Sequence, residues 1–175
     1  TVSKLANKSI TFTGNGTITV ENQTYNGYDG TLTLRGAGVA LNWNGSDGST
    51  KIGDKWLLLC LSGTINVEDG ASLRFEFNPE ETGGCNAIYM NADSALNVRN
   101  GAKVAIIGRN TRGYDGQGIQ LDKSGKATIS VTGGSEFLID GTNRGYVASP
   151  VIHVENSTFT VQNCTNNGSN GGKFT

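Results

Sequence analysis

Apolar and polar residues alternate along most of this chain with a period of two, and no stretch shows the 3.6-residue spacing of an amphipathic helix. The clearest stretches are Thr64-Ile-Asn-Val67, Ala95-Leu-Asn-Val98, Thr128-Ile-Ser-Val131 and Thr158-Phe-Thr-Val161. They recur at a step of about 31 residues. An earlier phrase, Gly16-Thr-Ile-Thr-Val20, has the same form. Leu57–Leu61, Ala87–Met90, Gly118–Leu121 and Val151–Val154 precede the four copies, and Leu73–Phe77, Val104–Ile106 and Phe137–Ile139 follow the first three. Between the second and third segments stand Asp69-Gly70, Asn100-Gly101 and Gly133-Gly134. Glycine there suits a turn with positive φ.

Each unit therefore reads as three short strands, A, B and C. A unit this small cannot cover its own apolar face, whereas stacked copies can. The expected fold is all-β, a three-strand β-solenoid of about five coils, with like strands parallel and about 4.8 Å apart. The predicted inward ladders are Leu59/Ile88/Ile119/Ile152 and Leu61/Met90/Leu121/Val154 on strand A. On strand B they are Ile18/Ile65/Leu96/Ile129/Phe159 and Val20/Val67/Val98/Val131/Val161, and on strand C Leu73/Val104/Phe137 and Phe75/Ile106/Ile139. A slip of one residue turns a whole ladder outward, so the register is strongly specified. Residues 1–56 read as an N-terminal cap and first coil, with strands at Ser9–Thr13, Thr17–Val20, Thr31–Arg35 and Val39–Trp43; residues 57–175 read as the coils proper. The chain starts at Thr1 rather than Met, and Lys173-Phe-Thr175 resembles the start of another strand A. We read it as a monomeric piece of a longer protein that continues past Thr175.

The pattern resembles the right-handed parallel β-helix of the pectin-lyase-like superfamily. Phrases such as Gly63-Thr-Ile-Asn-Val-Glu-Asp-Gly-Ala71 and Leu96-Asn-Val-Arg-Asn-Gly-Ala102 are similar to the repeats of large bacterial surface adhesins. The resemblance covers residues 57–164 well and 9–43 loosely. It implies an architecture rather than an activity, since that fold carries polysaccharide lyases, hydrolases, phage tailspikes and adhesins.

Composition narrows the classes further. The 175 residues include 26 Gly, carry 17 % charged residues and have a net charge of −1. That balance excludes a strongly basic nucleic-acid binder. The longest apolar run, Trp56–Leu61, is far short of the ~18 residues of a membrane helix. Cys60, Cys85 and Cys164 show no metal-ligand spacing, so no metal and no cofactor are expected. Isolated thiols are the preferred state, with one disulfide plus a free thiol as the alternative.

The candidate chemistry lies in the long connections from strand C to the next strand A. Arg109-Asn-Thr-Arg-Gly-Tyr-Asp115 and Gly141-Thr-Asn-Arg-Gly-Tyr146 share a phrase. Arg112 is expected beside Arg144 and Tyr114 beside Tyr146 on neighbouring coils. Arg grips carboxylates in bidentate fashion and Arg and Tyr dominate binding hot spots, which makes Arg109, Arg112, Tyr114, Asp115, Arg144 and Tyr146 candidate ligand-binding residues. The same side chains can equally tie adjacent loops together.

Three other features carry less. The outward Thr17-x-Thr19, Thr64-x-Asn66, Ala95-x-Asn97, Thr128-x-Ser130 and Thr158-x-Thr160 positions resemble an ice-binding face, broken by Ala95 and the asparagines. Glycoside hydrolysis needs two carboxylates at a set separation, yet Glu68 is expected against Arg99 and Glu76 against Ala105. His153 is expected on strand A, pointing out beside Gln120, and Ile107 and Leu138 are expected as outward neighbours on strand C.

These readings point to a non-enzymatic, extracellular binding module on a bacterial cell surface. Its partner would be a host glycan or a host protein such as an immunoglobulin. The alternatives are a polysaccharide-cleaving enzyme with catalytic residues elsewhere, or a structural stalk.

Overall fold

The structure, a computed structural model, describes the backbone of residues 9–21, 25–46, 51–52, 55–78, 85–108, 117–121, 126–141, 144–147, 151–163 and 173–174, and side chains over most of these. Among the described residues there are strands and turns and no helix. The chain opens with β1 (Ile10–Phe12) and β2 (Gly16–Glu21). A first complete unit follows as β3 (Tyr25–Tyr28), β4 (Thr31–Arg35) and β5 (Val39–Ser46). The short β6 (Lys51–Ile52) pairs antiparallel with β7 (Lys55–Leu61), which leads into β8 (Thr64–Glu68) and β9 (Ser72–Asn78). Two more units are β10 (Cys85–Met90), β11 (Ala95–Arg99), β12 (Lys103–Gly108), and β13 (Gln117–Leu121), β14 (Thr128–Thr132), β15 (Glu136–Asp140). The last is β16 (Arg144–Val147), β17 (Val151–Glu155) and β18 (Thr158–Gln162), followed by β19 (Lys173–Phe174).

From β1 to β18, the short antiparallel β6 aside, the chain visits three parallel sheets in rotation, whereas Lys173–Phe174, expected to start another strand A, pairs with β17 instead. Sheet A holds β3, β7, β10, β13 and β16; sheet B holds β1, β4, β8, β11, β14, β17 and β19; sheet C holds β2, β5, β9, β12, β15 and β18. This arrangement is consistent with a parallel β-solenoid. Each strand pairs with its counterpart in the next unit, so the apolar side chains of one unit are closed off by the units on either side.

In the middle units the predicted ladders hold. Ile65, Leu96 and Ile129 are in register, as are Val67, Val98 and Val131. All six are 0–1 % exposed, and burial of each such side chain is worth about 1.5–3 kcal/mol. Leu73/Val104/Phe137 and Phe75/Ile106/Ile139 line sheet C, and Leu59/Ile88/Ile119 and Leu61/Met90/Leu121 are in register on sheet A. Trp43 stacks on Phe75 with ring centroids 5.5 Å apart, and Phe137 on Phe159 at 4.9 Å.

At both ends the expected frame is wrong by one sheet. Val131 is followed in its column by Val154, not Val161, and Ile129 by Ile152. Phe159 and Val161 belong to sheet C, over Phe137 and Ile139. Ile18 and Val20 also belong to sheet C, beside Leu41 and Trp43, while Leu32 and Leu34 take the expected places beside Ile65 and Val67 in sheet B, with Ile10 and Phe12 one strand further out. The strand Tyr25–Tyr28 begins sheet A.

The turns from sheet B to sheet C share one backbone feature. Gly14, Gly36, Asp69, Asn100, Gly133 and Asn156 follow the sheet B strands at one equivalent position, with φ of 97°, 108°, 55°, 58°, 66° and 46°. A left-handed residue there reverses the chain from B to C, and Gly, Asn and Asp are the residues that tolerate it. Asn156 and Gly14 fall in this column through the pairing of the strands before them, since Gly141 and Asn163 are left-handed after sheet C strands as well. The T-x-T-V phrase fits an inward-facing alternation in either sheet and cannot make that choice.

Tight packing between units follows. Gly141 has φ +69°, and a Cβ there would lie 2.3 Å from the Gly108 carbonyl oxygen. Gly141→Ala is expected to lower the melting temperature by several degrees, through backbone strain and that clash. Phe75→Ala removes a fully buried ring from under Trp43, and urea unfolding should record a loss of about 3–5 kcal/mol.

Candidate functional site

Of the candidate ligand-binding residues, Arg109, Arg112, Tyr114 and Asp115 lie outside the described residues. Arg144 and Tyr146 are not in a loop: they belong to β16, an end strand of sheet A. The backbone register pairs Arg144 with Gln117 and Tyr146 with Ile119. Gln117 is the residue at which the chain re-enters the sheet after 109–116, so Arg144 sits one strand step from the end of that connection.

The best-defined polar cluster in the described part is one that the sequence reading saw only in half. Glu68 ends β8 at a position of sheet B that alternation turns outward, yet its side chain is only 3 % exposed. It is covered by arginines from the units on both sides, because register aligns Arg35, Glu68 and Arg99. Arg35 Nε donates to Glu68 Oε1 at 2.7 Å, with its Nη2 at 2.5 Å from the same oxygen. Arg99 Nε donates to Oε2 at 2.6 Å, and its Nη2 also contacts that oxygen. Both carboxylate oxygens are thus satisfied twice over. Burial alone would raise the Glu68 pKa, but the hydrogen bonds and charges of Arg35 and Arg99 outweigh it and hold the carboxyl below its ordinary value. The guanidiniums are about half exposed, so solvent screens part of this gain. Sequence alignment found the Glu68–Arg99 half. Arg35 was missed because its unit matches the repeat loosely, although Leu32-x-Leu34-Arg35 carries the same apolar alternation before the same turn.

Next to this cluster runs a ladder of small polar groups. Asn97 Nδ2 donates to Asn66 Oδ1 at 2.9 Å, and Asn66 Nδ2 to Thr33 Oγ1 at 3.3 Å. The five-membered hydroxyl array expected on this face is not a single array. Thr17, Thr19, Thr158 and Thr160 stand on sheet C strands, which leaves Thr64-x-Asn66, Ala95-x-Asn97 and Thr128-x-Ser130 on sheet B.

The remaining expectations resolve individually. Glu76 pairs in register with Ile107 rather than Ala105, and its carboxylate takes an ion pair from Arg74 at 2.9 Å. Ile107 and Leu138 are diagonal, since Ala105 pairs with Leu138 and Ile107 with Asp140. His153 points outward, but from sheet B beside Ser130, with Nε2 3.6 Å from Glu155. Cys60 is a buried free thiol. Among the described residues no group of three or more His, Cys, Asp or Glu side chains is arranged to hold a metal ion.

The chain matches no family model, no curated protein and no solved structure.

The Glu68 cluster makes a pH-dependent contribution to stability. Because the folded-state pKa is depressed, that contribution is fully present above the ordinary value of 4.5 and is lost as pH falls through the lower folded-state value. Glu68→Gln should cost roughly 1–3 kcal/mol at neutral pH. Urea titrations of both proteins should converge as pH is lowered below 4.5.

Proposed function

We propose that this chain is a right-handed parallel β-helix segment of a bacterial cell-surface protein, and that it acts as a non-enzymatic extracellular binding module for a host glycan or host protein. Right-handed crossovers are the rule between parallel strands of one sheet, and the adhesin-like repeat phrases favour this setting.

One observation carries the binding reading. The B-to-C turns are short and uniform, whereas the intervals between a C strand and the next A strand vary in length, from Asp140 to Arg144 at the short end, through Asn78 to Cys85, to Gly108 to Gln117. Variable connections that share one edge of a rigid scaffold are where recognition residues concentrate. Arg109, Arg112, Tyr114 and Asp115 belong to the last of these intervals, and Arg144 and Tyr146 to the strand beside its end. An Arg–Tyr group there suits anionic or hydroxyl-rich ligands through bidentate hydrogen bonds and ring stacking.

The enzymatic alternative draws less support. A glycosidase general acid needs a carboxyl whose pKa is raised toward neutrality. Glu68, the buried carboxylate of the described part, is shifted the other way and saturated by two arginines.

Replacing Arg112, Tyr114, Arg144 and Tyr146 together by Ala tests the reading, using a glycan array and capture of proteins from host secretions. Loss of capture by about ten-fold or more with an unchanged melting temperature is the expected result. Lowered stability with retained capture would make these side chains packing elements. New reducing ends or unsaturated products from polysaccharides incubated with the wild-type chain would replace the binder by an enzyme.

A further inference from the structure

The column of B-to-C turns contains two dipeptides prone to succinimide chemistry, Asp69-Gly70 and Asn100-Gly101. In such a step the glycine amide nitrogen attacks the side-chain carbonyl carbon of the preceding residue. For Asn100 the N–Cγ bond forms, the Cγ–Nδ2 bond breaks and ammonia leaves. Water then opens the ring to aspartate or isoaspartate. Glycine presents no side chain to hinder the attack, and Asn100 and Gly101 are both exposed.

The folded protein holds both reacting groups elsewhere. Gly101 N donates to the Gly133 carbonyl of the next unit at 2.9 Å, and Asn100 Nδ2 donates to Asp69 Oδ1 of the preceding unit at 2.9 Å. Asn100 also has φ 58° and Gly101 φ 74°, a paired left-handed turn that must be undone before the ring can close. The arrangement repeats one unit earlier, where Gly70 N donates to the Asn100 carbonyl at 3.0 Å. Each labile dipeptide is therefore capped by the unit that follows it.

We propose that Asn100-Gly101 is a latent deamidation and isomerisation site, closed by the stacking of the next unit and opened when that unit detaches. The reaction is self-aggravating. Aspartate at 100 loses the amide donor to Asp69 and sets two carboxylates against each other, and isoaspartate adds a backbone atom to a turn held in register on both sides. A unit that opens for long enough is thereby prevented from closing again in its original form.

The test is peptide mapping of the full chain aged in mildly alkaline buffer, scoring Asn100 as asparagine, aspartate or isoaspartate. Conversion should be at least about ten-fold slower in the folded protein than in urea, as expected for a reaction that requires local opening. Ile129→Ala thins the core of the capping unit and should raise the folded-state rate at Asn100 several-fold while leaving the rate in urea unchanged. Leu32→Ala, two units away on the other side, serves as the control for general destabilisation. Equal rates in folded and unfolded protein would overturn the proposal. So would an increase from Leu32→Ala matching that from Ile129→Ala at equal loss of stability, because the cap would then not be the neighbouring unit.

Discussion

An unbranched stack of three-strand units has no interior until a second unit lies on the first. Leu96 and Val98 are fully buried only because Ile65 and Val67 lie on one side and Ile129 and Val131 on the other. The same stacking supplies the backbone partners of every strand. Parallel, in-register contact between units is therefore the constraint on which the core, the polar ladders and the candidate sites all depend. It also explains the gradient toward the ends, where Phe12, Ile18, Val154, Phe159 and Val161 are only partly buried.

Stacking like on like is favourable for apolar and amide side chains and costly for charges. The outward columns reflect that asymmetry. Thr33, Asn66 and Asn97 form hydrogen bonds from unit to unit, each amide donating to its neighbour. Charged columns alternate in sign instead: Arg35, Glu68 and Arg99 are successive members of one column, and Lys103 meets Glu136 in another. A repeat copied without change would place carboxylate on carboxylate, so the divergence among units at these positions is itself a folding requirement. Glu68 shows the consequence, since it tolerates burial only because both neighbours in its column are cations.

The proposed binding residues and the labile dipeptides lie in different parts of a unit. The B-to-C turns are short, hydrogen-bonded to one another and locked in left-handed conformations, which leaves them little freedom to bind a ligand. The C-to-A connections vary in length and carry the Arg- and Tyr-containing phrase. A stack built in this way can vary its C-to-A connections from unit to unit without disturbing the core that aligns it.

The alternation of apolar residues and the recurrence of its phrases determined the all-β class, the three strands per unit and the ladders of the middle units. Those properties are local: a period of two assigns faces, and a repeat that cannot bury itself must stack. The frame of the first and last units was decided only in three dimensions. Thr158-Phe-Thr-Val161 suits sheet B as well as sheet C by its side chains, and what separates them is pairing: Val151–Glu155 lies against Thr128–Thr132, which leaves Thr158–Gln162 against Glu136–Asp140. The Arg35 contact was hidden for the same reason, since pairing partners in different units depend on connection lengths that sequence similarity does not measure. Arg144 and Tyr146 likewise read as a loop because their phrase matches 112–114, and they form a strand because the edge of β13 was available to pair with them.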